Sequence, residues 1–299
     1  MGRTTFAIGA QGRMAGRVVA CAAGLALCAP AGAEVVWSVT FANAQNIGSW
    51  VPSISSALLG AGAEWSRYLV SDARLDVQVV IDPTISRSTG RSVTSNYLFH
   101  NGEMQVWDQG AASEIRTGID PNGMTADIEI RLSPSYLANE LWFDPDPLDR
   151  SAAVPTNRTD AVSVFLHEIG HAIGFNGWRD DVTGTTPGYG SQFDALTTFD
   201  GTDFFFHGPR AIAEYGAPVP LTRGNIFHVG NSAPGPGYDL RDDLMNGVVF
   251  ERGRRYDISR LNLIMLGDLG ILVEVPEVPA PGTMVIVPAA GLLAIRRRR

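Results

Sequence analysis

The stretch LHEIGHAIGFNGW, residues 166–178, contains two histidines four residues apart. It belongs to a longer segment, from Thr159 to Gly174, in which apolar residues recur at helical spacing and Thr159 or Asp160 is placed to cap the first turn. Residues four apart on a helix lie on one face. The segment therefore predicts a helix whose two imidazoles can converge on one zinc ion, at about 2.0–2.1 Å from each nitrogen.

The two histidines are His167 and His171, and Glu168 lies between them. On a helix Glu168 is offset by about 100° from His167, so it flanks the metal instead of binding it. From there it can act as the general base, taking a proton from a zinc-activated water and passing it to the leaving amine. A chain of this composition contains such a motif by chance in about three cases per thousand. The alternative is a structural helix with satisfied histidines, which does not explain the acid between them.

The motif continues with a glycine three residues beyond the second histidine, Gly174. In this form it resembles the metzincin zinc peptidases, in which the glycine lets the chain turn sharply after the helix. DDLMNGV (242–248) resembles their Met-turn, with Met245 beneath the zinc, and ISRLNLIMLGDLG (258–270) resembles their closing helix. The resemblance covers roughly residues 125–272. It implies an α+β, metzincin-like domain with a mixed sheet, an active-site helix, and zinc endopeptidase activity with Zn²⁺ as the cofactor.

The third zinc ligand is not in the motif itself. Compact metzincins carry a third histidine where this chain has Gly177. Leishmanolysin-like members separate that histidine from the helix by a long insertion, and in the family it comes shortly before the Met-turn. His228 precedes Met245 by 17 residues and His207 precedes it by 38 residues. We therefore predict that His228 is the third ligand, with His207 as an alternative.

A carboxylate could also complete the site. Asp180 and Asp181 lie close to the helix in sequence, although GWRDDVTG is more simply a polar turn. His100 lies upstream of the helix in a turn-rich stretch and is discounted. Tyr256 is a possible transition-state donor, but a packed aromatic is the simpler interpretation.

The N-terminal residues 1–33 predict a secretory signal peptide. They carry arginines and no acid, then the apolar run 18–29, and they end in a small-x-small cleavage pattern before Glu34. Both cysteines of the chain, Cys21 and Cys28, fall inside this segment. A metal site in the exported chain must therefore use histidines and carboxylates.

The C-terminal residues 276–299 end in VPAPGTMVIVPAAGLLAIRRRR and resemble the PEP-CTERM sorting signal of Gram-negative bacteria. Pro-Ala-Pro at 279–281 stands where Pro-Glu-Pro is usual, and the apolar stretch 283–295 is too short to span a bilayer comfortably as a helix. The resemblance implies processing by an exosortase, transient membrane association through the tail, and a final place at the cell surface or outside the cell. A plain membrane anchor is the alternative.

Residues 34–275 remain as the predicted zinc peptidase domain. Seven of the 23 arginines belong to the two terminal segments, which leaves 16 against 31 acidic residues, a net charge of about −15. Such a surface argues against nucleic acid and anionic membranes as partners. We expect an exported zinc endopeptidase acting on a protein or peptide. The open alternatives are a catalytically silent surface or matrix protein with a structural zinc site, and a zinc amidase with a non-protein substrate.

The rest of the domain predicts strands, a first helix and a closing helix around the motif. A turn-rich stretch follows the second predicted strand to about residue 124. The closing helix has Asp257 near its start and Gly270 as its C-cap. The loop carboxylates Asp144, Asp146 and Asp149 could bind calcium, although a solvated loop is favoured.

Overall fold

A computed structural model describes residues 34–43, 47–230 and 238–277 of the chain. The predicted signal peptide, residues 1–33, and nearly all of the predicted sorting signal lie outside the described residues. The strands, in chain order, are β1 (Val36–Phe41), β2 (Arg74–Ile81), β3 (Ser88–Ser92), β4 (Ser95–His100), β5 (Gln105–Gln109), β6 (Ile128–Leu132), β7 (Leu141–Trp142), β8 (Thr159–Asp160), β9 (Tyr189–Ser191), β10 (Thr197–Phe199), β11 (Phe204–Phe206), β12 (Val219–Thr222) and β13 (Asn225–Val229). The helices are α1 (Val51–Ser66), α2 (Gly110–Thr117), α3 (Pro134–Asn139), α4 (Ala161–Ile173), α5 (Gln192–Ala195), α6 (Pro209–Tyr215) and α7 (Arg260–Asp268).

A four-stranded sheet in the order β1-β2-β6-β3 forms the base of the domain. β1, β2 and β6 are parallel to one another, and β3 runs antiparallel to β6 at the edge. In β2 every second side chain is buried, from Leu75 to Ile81, which is the pattern of a strand with one face on the core. The sheet is mixed, and strands and helices are not in regular alternation. The predicted α+β class is therefore confirmed.

Helix α4 is held against α1 in the core. All of its residues are buried except His167 and His171, which are partly exposed to solvent. The fully buried indole of Trp65 in α1 donates a hydrogen bond to the backbone carbonyl of Leu166 at 3.0 Å. A helix buried on nearly every side has little freedom to shift, and this makes α4 a rigid support for the two imidazoles.

The stretch from about 83 to 124, predicted only as turn-rich, contains regular elements. The segment contains β3, β4, β5 and α2. β3 has the sequence STGRS, which has no apolar pattern of its own, and it becomes a strand because it pairs along its length with β6. Strand propensity depends on such cross-strand neighbours, which the local sequence does not reveal.

Asp257 lies near the start of α7, as predicted, but it is not the cap. Ser259 caps the helix in a reciprocal capping box with Asn262, whereas Asp257 pairs with Arg150. Gly270 has a φ of +84° just beyond the helix, in the left-handed conformation that ends helices.

Three further sheets complete the described part of the domain, one of them the two-stranded pair of β7 and β8. β10 to β13 form an antiparallel sheet in chain order, and β4, β5 and β9 form another. β13 brings the chain back toward α4 and carries His228. Within the described part of the chain, no helix combines the length and the apolar character needed to cross a membrane.

Candidate metal centre

The first turn of α4 is anchored by the predicted cap. The Asp160 carboxylate accepts a hydrogen bond from the Ser163 amide at 3.0 Å, which confirms Asp160 as the N-cap. Asp160 is fully buried, and its charge is balanced by Arg150 and Arg255 at 3.3 and 3.4 Å. Arg255 also binds Asp144 at 2.6 Å. A guanidinium therefore already pairs with one of the loop carboxylates considered for calcium.

The loop that contains Met245 supports the other side of α4. Met245 is fully buried, and a Cβ at Gly170 would lie 2.6 Å from its sulfur, so a glycine is needed at this point of the helix. The loop is tied to α7, because the buried Asp243 carboxylate accepts hydrogen bonds from the Ser259 hydroxyl and the Asn262 amide. The loop, α4 and α7 thus form one packed unit behind the histidines.

Three imidazoles meet at one point. His228 Nε2 lies 3.0 Å from His167 Nε2 and 3.0 Å from His171 Nε2, and the nitrogens of His167 and His171 are 3.1 Å apart. The centre of such a triangle is closer to each nitrogen than a zinc–nitrogen bond of about 2.0–2.1 Å, so one ion on its axis can reach all three. The group could hold a metal ion.

The opposite nitrogen of each ring faces a backbone carbonyl. His167 Nδ1 lies 2.7 Å from Leu244 O, His171 Nδ1 lies 2.6 Å from Phe175 O, and His228 Nδ1 lies 3.3 Å from Asn225 O. A carbonyl accepts only, so each Nδ1 carries the proton and each Nε2 presents a lone pair. Three lone pairs at 3.0–3.1 Å repel unless a cation lies among them. This donor set fits a metal ion.

The protonation of the rings agrees with that fit. Burial and, to a smaller extent, neighbouring His167 together lower the pKa of His171 to about 3. Burial also holds the pKa of His228 well below its ordinary value, with His171 and His167 acting in the same direction. The neutral imidazole is the form that binds a metal.

Glu168 lies beside the histidines. It is 5% exposed, and its carboxylate accepts a hydrogen bond from the Ser88 hydroxyl in β3 at 2.6 Å. Burial raises the pKa of Glu168, while the charge of His167 and hydrogen bonds from Ser88 and the Gly90 amide oppose the rise. A carboxylate with a raised pKa, held in place by a hydroxyl, is suited to accept and return a proton.

The chain at Gly177 is folded tightly around a buried aspartate. Asp194 accepts hydrogen bonds from the amides of Trp178, Arg179 and Ser191, and a Cβ at Gly177 would overlap its carboxylate. Position 177 is therefore part of a structural turn. Asp194 was not predicted from the sequence, although the Ser-x-x-Asp spacing from 191 to 194 is the signal of a helix cap.

The alternative ligands lie outside the histidine group. His207 is exposed just after β11, and His100 is exposed at the end of β4. Asp180 is exposed and closes a turn by accepting hydrogen bonds from the Thr183 amide and hydroxyl. Among the described residues, the group that contains the motif histidines includes neither Asp180 nor Asp181.

Tyr256 is a packed aromatic side chain, which was the simpler of the two interpretations of this residue. It is 1% exposed, and its hydroxyl accepts a hydrogen bond from the Glu251 amide.

A cleft of about 410 Å³ opens beside the three histidines. Glu168 and the histidines line one part of it, and residues 87–90 at the start of β3 line another. Tyr136, Phe227 and Val249 are among the other lining side chains. The carboxylate and the Nε2 atoms thus face a space large enough for part of a substrate.

The chain matches no protein-family model, no curated protein and no solved structure. An interpretation of the site therefore depends on its residues and their geometry.

Proposed function

We propose that this protein is a zinc endopeptidase in which His167, His171 and His228 hold the metal and Glu168 is the general base. The observation that carries the proposal is the histidine triangle, with each Nε2 turned inward and each Nδ1 facing a carbonyl. In metal sites, backbone carbonyls that accept a hydrogen bond from the opposite ring nitrogen orient histidine ligands.

The number of ligands supports a catalytic over a structural site. Structural zinc sites are closed by four protein ligands, whereas catalytic sites use three and keep one open position. Among the described residues the group contains three ligands, and it lies beside a cleft. A silent structural site would also have no use for a buried Glu168 at the cleft wall.

The reaction is hydrolysis of a peptide bond by water. Held by His167, His171 and His228, a zinc ion would supply a water whose pKa is lowered to about 7 and would polarise the peptide carbonyl. Glu168 takes the proton from the attacking water and delivers it to the leaving amine, and Ser88 keeps the carboxylate oriented for both transfers.

The cleft suits an extended chain. β3 is the last strand of its sheet, and residues 87–90 line the cleft next to Glu168. The outer edge of a strand offers backbone amides and carbonyls to an extended peptide, which gives affinity independent of side chains. This favours a protein or peptide substrate over a non-protein amide.

We also propose that the domain is a metzincin-like peptidase. Met245 packs against α4 beneath the histidines as the methionine of a Met-turn, and α7 packs behind it as the closing helix. The third ligand comes from β13 after a long connection, in the leishmanolysin-like manner. The domain proposed is residues 34–275.

The activity is tested directly with a mixed peptide library. Purified residues 34–278 should contain about one zinc per chain and cleave peptides internally. A chelator should stop cleavage, and added zinc should restore it, because the metal activates the water. Bound zinc without cleavage of any peptide would favour the structural alternative, and cleavage of peptidoglycan cross-links alone would favour the amidase.

We propose that the protein is exported and sorted through its tail. The supporting observations are the signal-like residues 1–33 and the Pro-rich, apolar and arginine segments of 276–299. In a host with an exosortase, the mature protein should lose its tail near 279–281 and leave the inner membrane. Mass spectrometry of the surface protein reads the result, and an intact Arg-Arg-Arg-Arg terminus would contradict it. In a host without the enzyme, the protein should stay in the membrane fraction.

A further inference from the structure

A second group of oxygen ligands lies apart from the histidines. Glu114 is in α2, Asp120 follows in the next loop, and Asp127 immediately precedes β6. One carboxylate oxygen from each of the three lies within 4.8 Å of the others. The fold thus brings three acids from a helix, a loop and a strand end to one place.

Two of these carboxylates are buried with only half of their oxygens satisfied. Glu114 and Asp127 are each 2% exposed. Glu114 Oε1 accepts a hydrogen bond from the Arg74 amide and Asp127 Oδ2 accepts one from the Asp76 amide, both at 2.8 Å. In the described part of the chain, Glu114 Oε2 and Asp127 Oδ1 receive no hydrogen bond from an amide, a hydroxyl or a guanidinium group. Buried polar atoms without a partner are rare, because leaving them unsatisfied costs free energy.

The charges of the cluster are also unbalanced. Among the described residues, no arginine or histidine forms an ion pair with Glu114, Asp120 or Asp127. Burial is the largest of the causes that together raise the pKa of Glu114 to about 7; the charge of Asp127, a side-chain hydrogen bond between the two carboxyl groups and the charge of Asp120 act in the same direction. Burial likewise raises the pKa of Asp127. Near neutral pH these neighbours must either share a proton or hold a cation.

The loop that carries Asp120 offers a way in from solvent. Asp120 is exposed, and its Oδ1 is fixed by the amides of Asn122 and Gly123 at 2.8 Å each. The side-chain oxygen of Asn122 in the same loop is buried and also receives no hydrogen bond from a described donor. The loop thus supplies a solvent-facing carboxylate and another unsatisfied oxygen.

We propose that Glu114, Asp120 and Asp127 form a calcium site that fastens the loop between α2 and β6 to the edge of the domain. The ligand atoms are all oxygens, which hard cations prefer. Calcium takes six to eight oxygens in flexible geometry, whereas magnesium keeps several waters and uses one or two carboxylates. Three carboxylates from three segments suit calcium. This site is independent of the proposed peptidase function.

The test is calorimetric titration of the full chain with calcium chloride, together with thermal unfolding. The wild-type protein should bind about one calcium ion in a saturable manner. Its melting temperature should rise with calcium concentration, because the ion binds the folded state. Absence of saturable binding and of a melting shift would overturn the proposal in favour of a shared proton.

Three variants locate the ion. Asp120→Asn changes an exposed side chain, so it should fold normally and bind calcium roughly tenfold or more weakly, because one ligand charge is lost. The double variant Glu114→Gln with Asp127→Asn should lose the calcium response. Asp72→Asn is the matched control, since Asp72 is exposed near Gly118 and outside the group. Unchanged calcium affinity in Asp120→Asn, or a loss in Asp72→Asn, would place the ion elsewhere.

A further variant separates this site from the histidine centre. His228→Ala should keep the full calcium response, because no histidine belongs to the acidic group. A calcium response that disappears in this variant would overturn the assignment. Failure of the peptidase test would leave the calcium result unaffected.

Discussion

Replacing Glu168 by glutamine should leave zinc bound and lower peptide turnover by about 10²–10⁴-fold, the usual contribution of a general base. Glutamine has nearly the same shape and can still accept the hydrogen bond from Ser88, but it cannot take a proton from water. Zinc content by mass spectrometry and steady-state cleavage of one library-derived peptide measure the two effects separately.

The matched control is Glu103→Gln. Glu103 is exposed in the connection between β4 and β5, away from the cleft-lining residues, so the same chemical change there should leave turnover unchanged. Undiminished turnover in Glu168→Gln would contradict the mechanism. Loss of zinc together with turnover would instead mean that Glu168 is needed to assemble the site.

Replacing His228 by alanine should remove zinc and activity together. Two imidazoles on α4 are one ligand short of the three protein ligands usual in catalytic zinc sites. Zinc content should therefore fall from about one per chain to near zero after dialysis against a weak competing ligand, with turnover lost in proportion. Far-ultraviolet circular dichroism should establish that the variant is folded.

His207→Ala is the matched control for this loss. His207 is the other histidine between α4 and the Met245 loop, and its side chain is exposed just beyond β11. Its removal should change neither zinc content nor turnover. If His207→Ala loses zinc and His228→Ala keeps it, the assignment of the third ligand is wrong.

The parts of the site that lie on one helix could be predicted from the sequence. His167, Glu168 and His171 lie within five consecutive residues of a helix, and helical periodicity sets the relative directions of their side chains. Their spacing in the sequence is therefore sufficient to predict which of them share a face. Asp160 was likewise predictable as a cap, because a capping side chain bonds to an amide three residues away. Strands with alternating burial, such as β2, could also be predicted, because the alternation of apolar and polar residues is a local pattern.

The residue that joins the two helix histidines from a distant part of the chain is identified by the fold. His228 is 57 residues beyond His171, and its position depends on the antiparallel pairing of β10 to β13. Nearness to the Met-turn favoured His228 over His207, but spacing along the chain cannot show which side chain faces α4. The fold also explains why position 177 is a glycine, because a Cβ there would overlap the carboxylate of Asp194.

The same limit applies to the acidic group. The sequence drew attention to Asp144, which pairs with Arg255, and not to Glu114, Asp120 and Asp127, which the fold brings together. Strand β3 also had no apolar pattern and exists because β6 pairs with it. Spacing along the chain encodes contacts within one turn of a helix or one strand. Contacts between segments depend on how the whole chain satisfies its core and its backbone hydrogen bonds at once, and these were determined only by the complete fold.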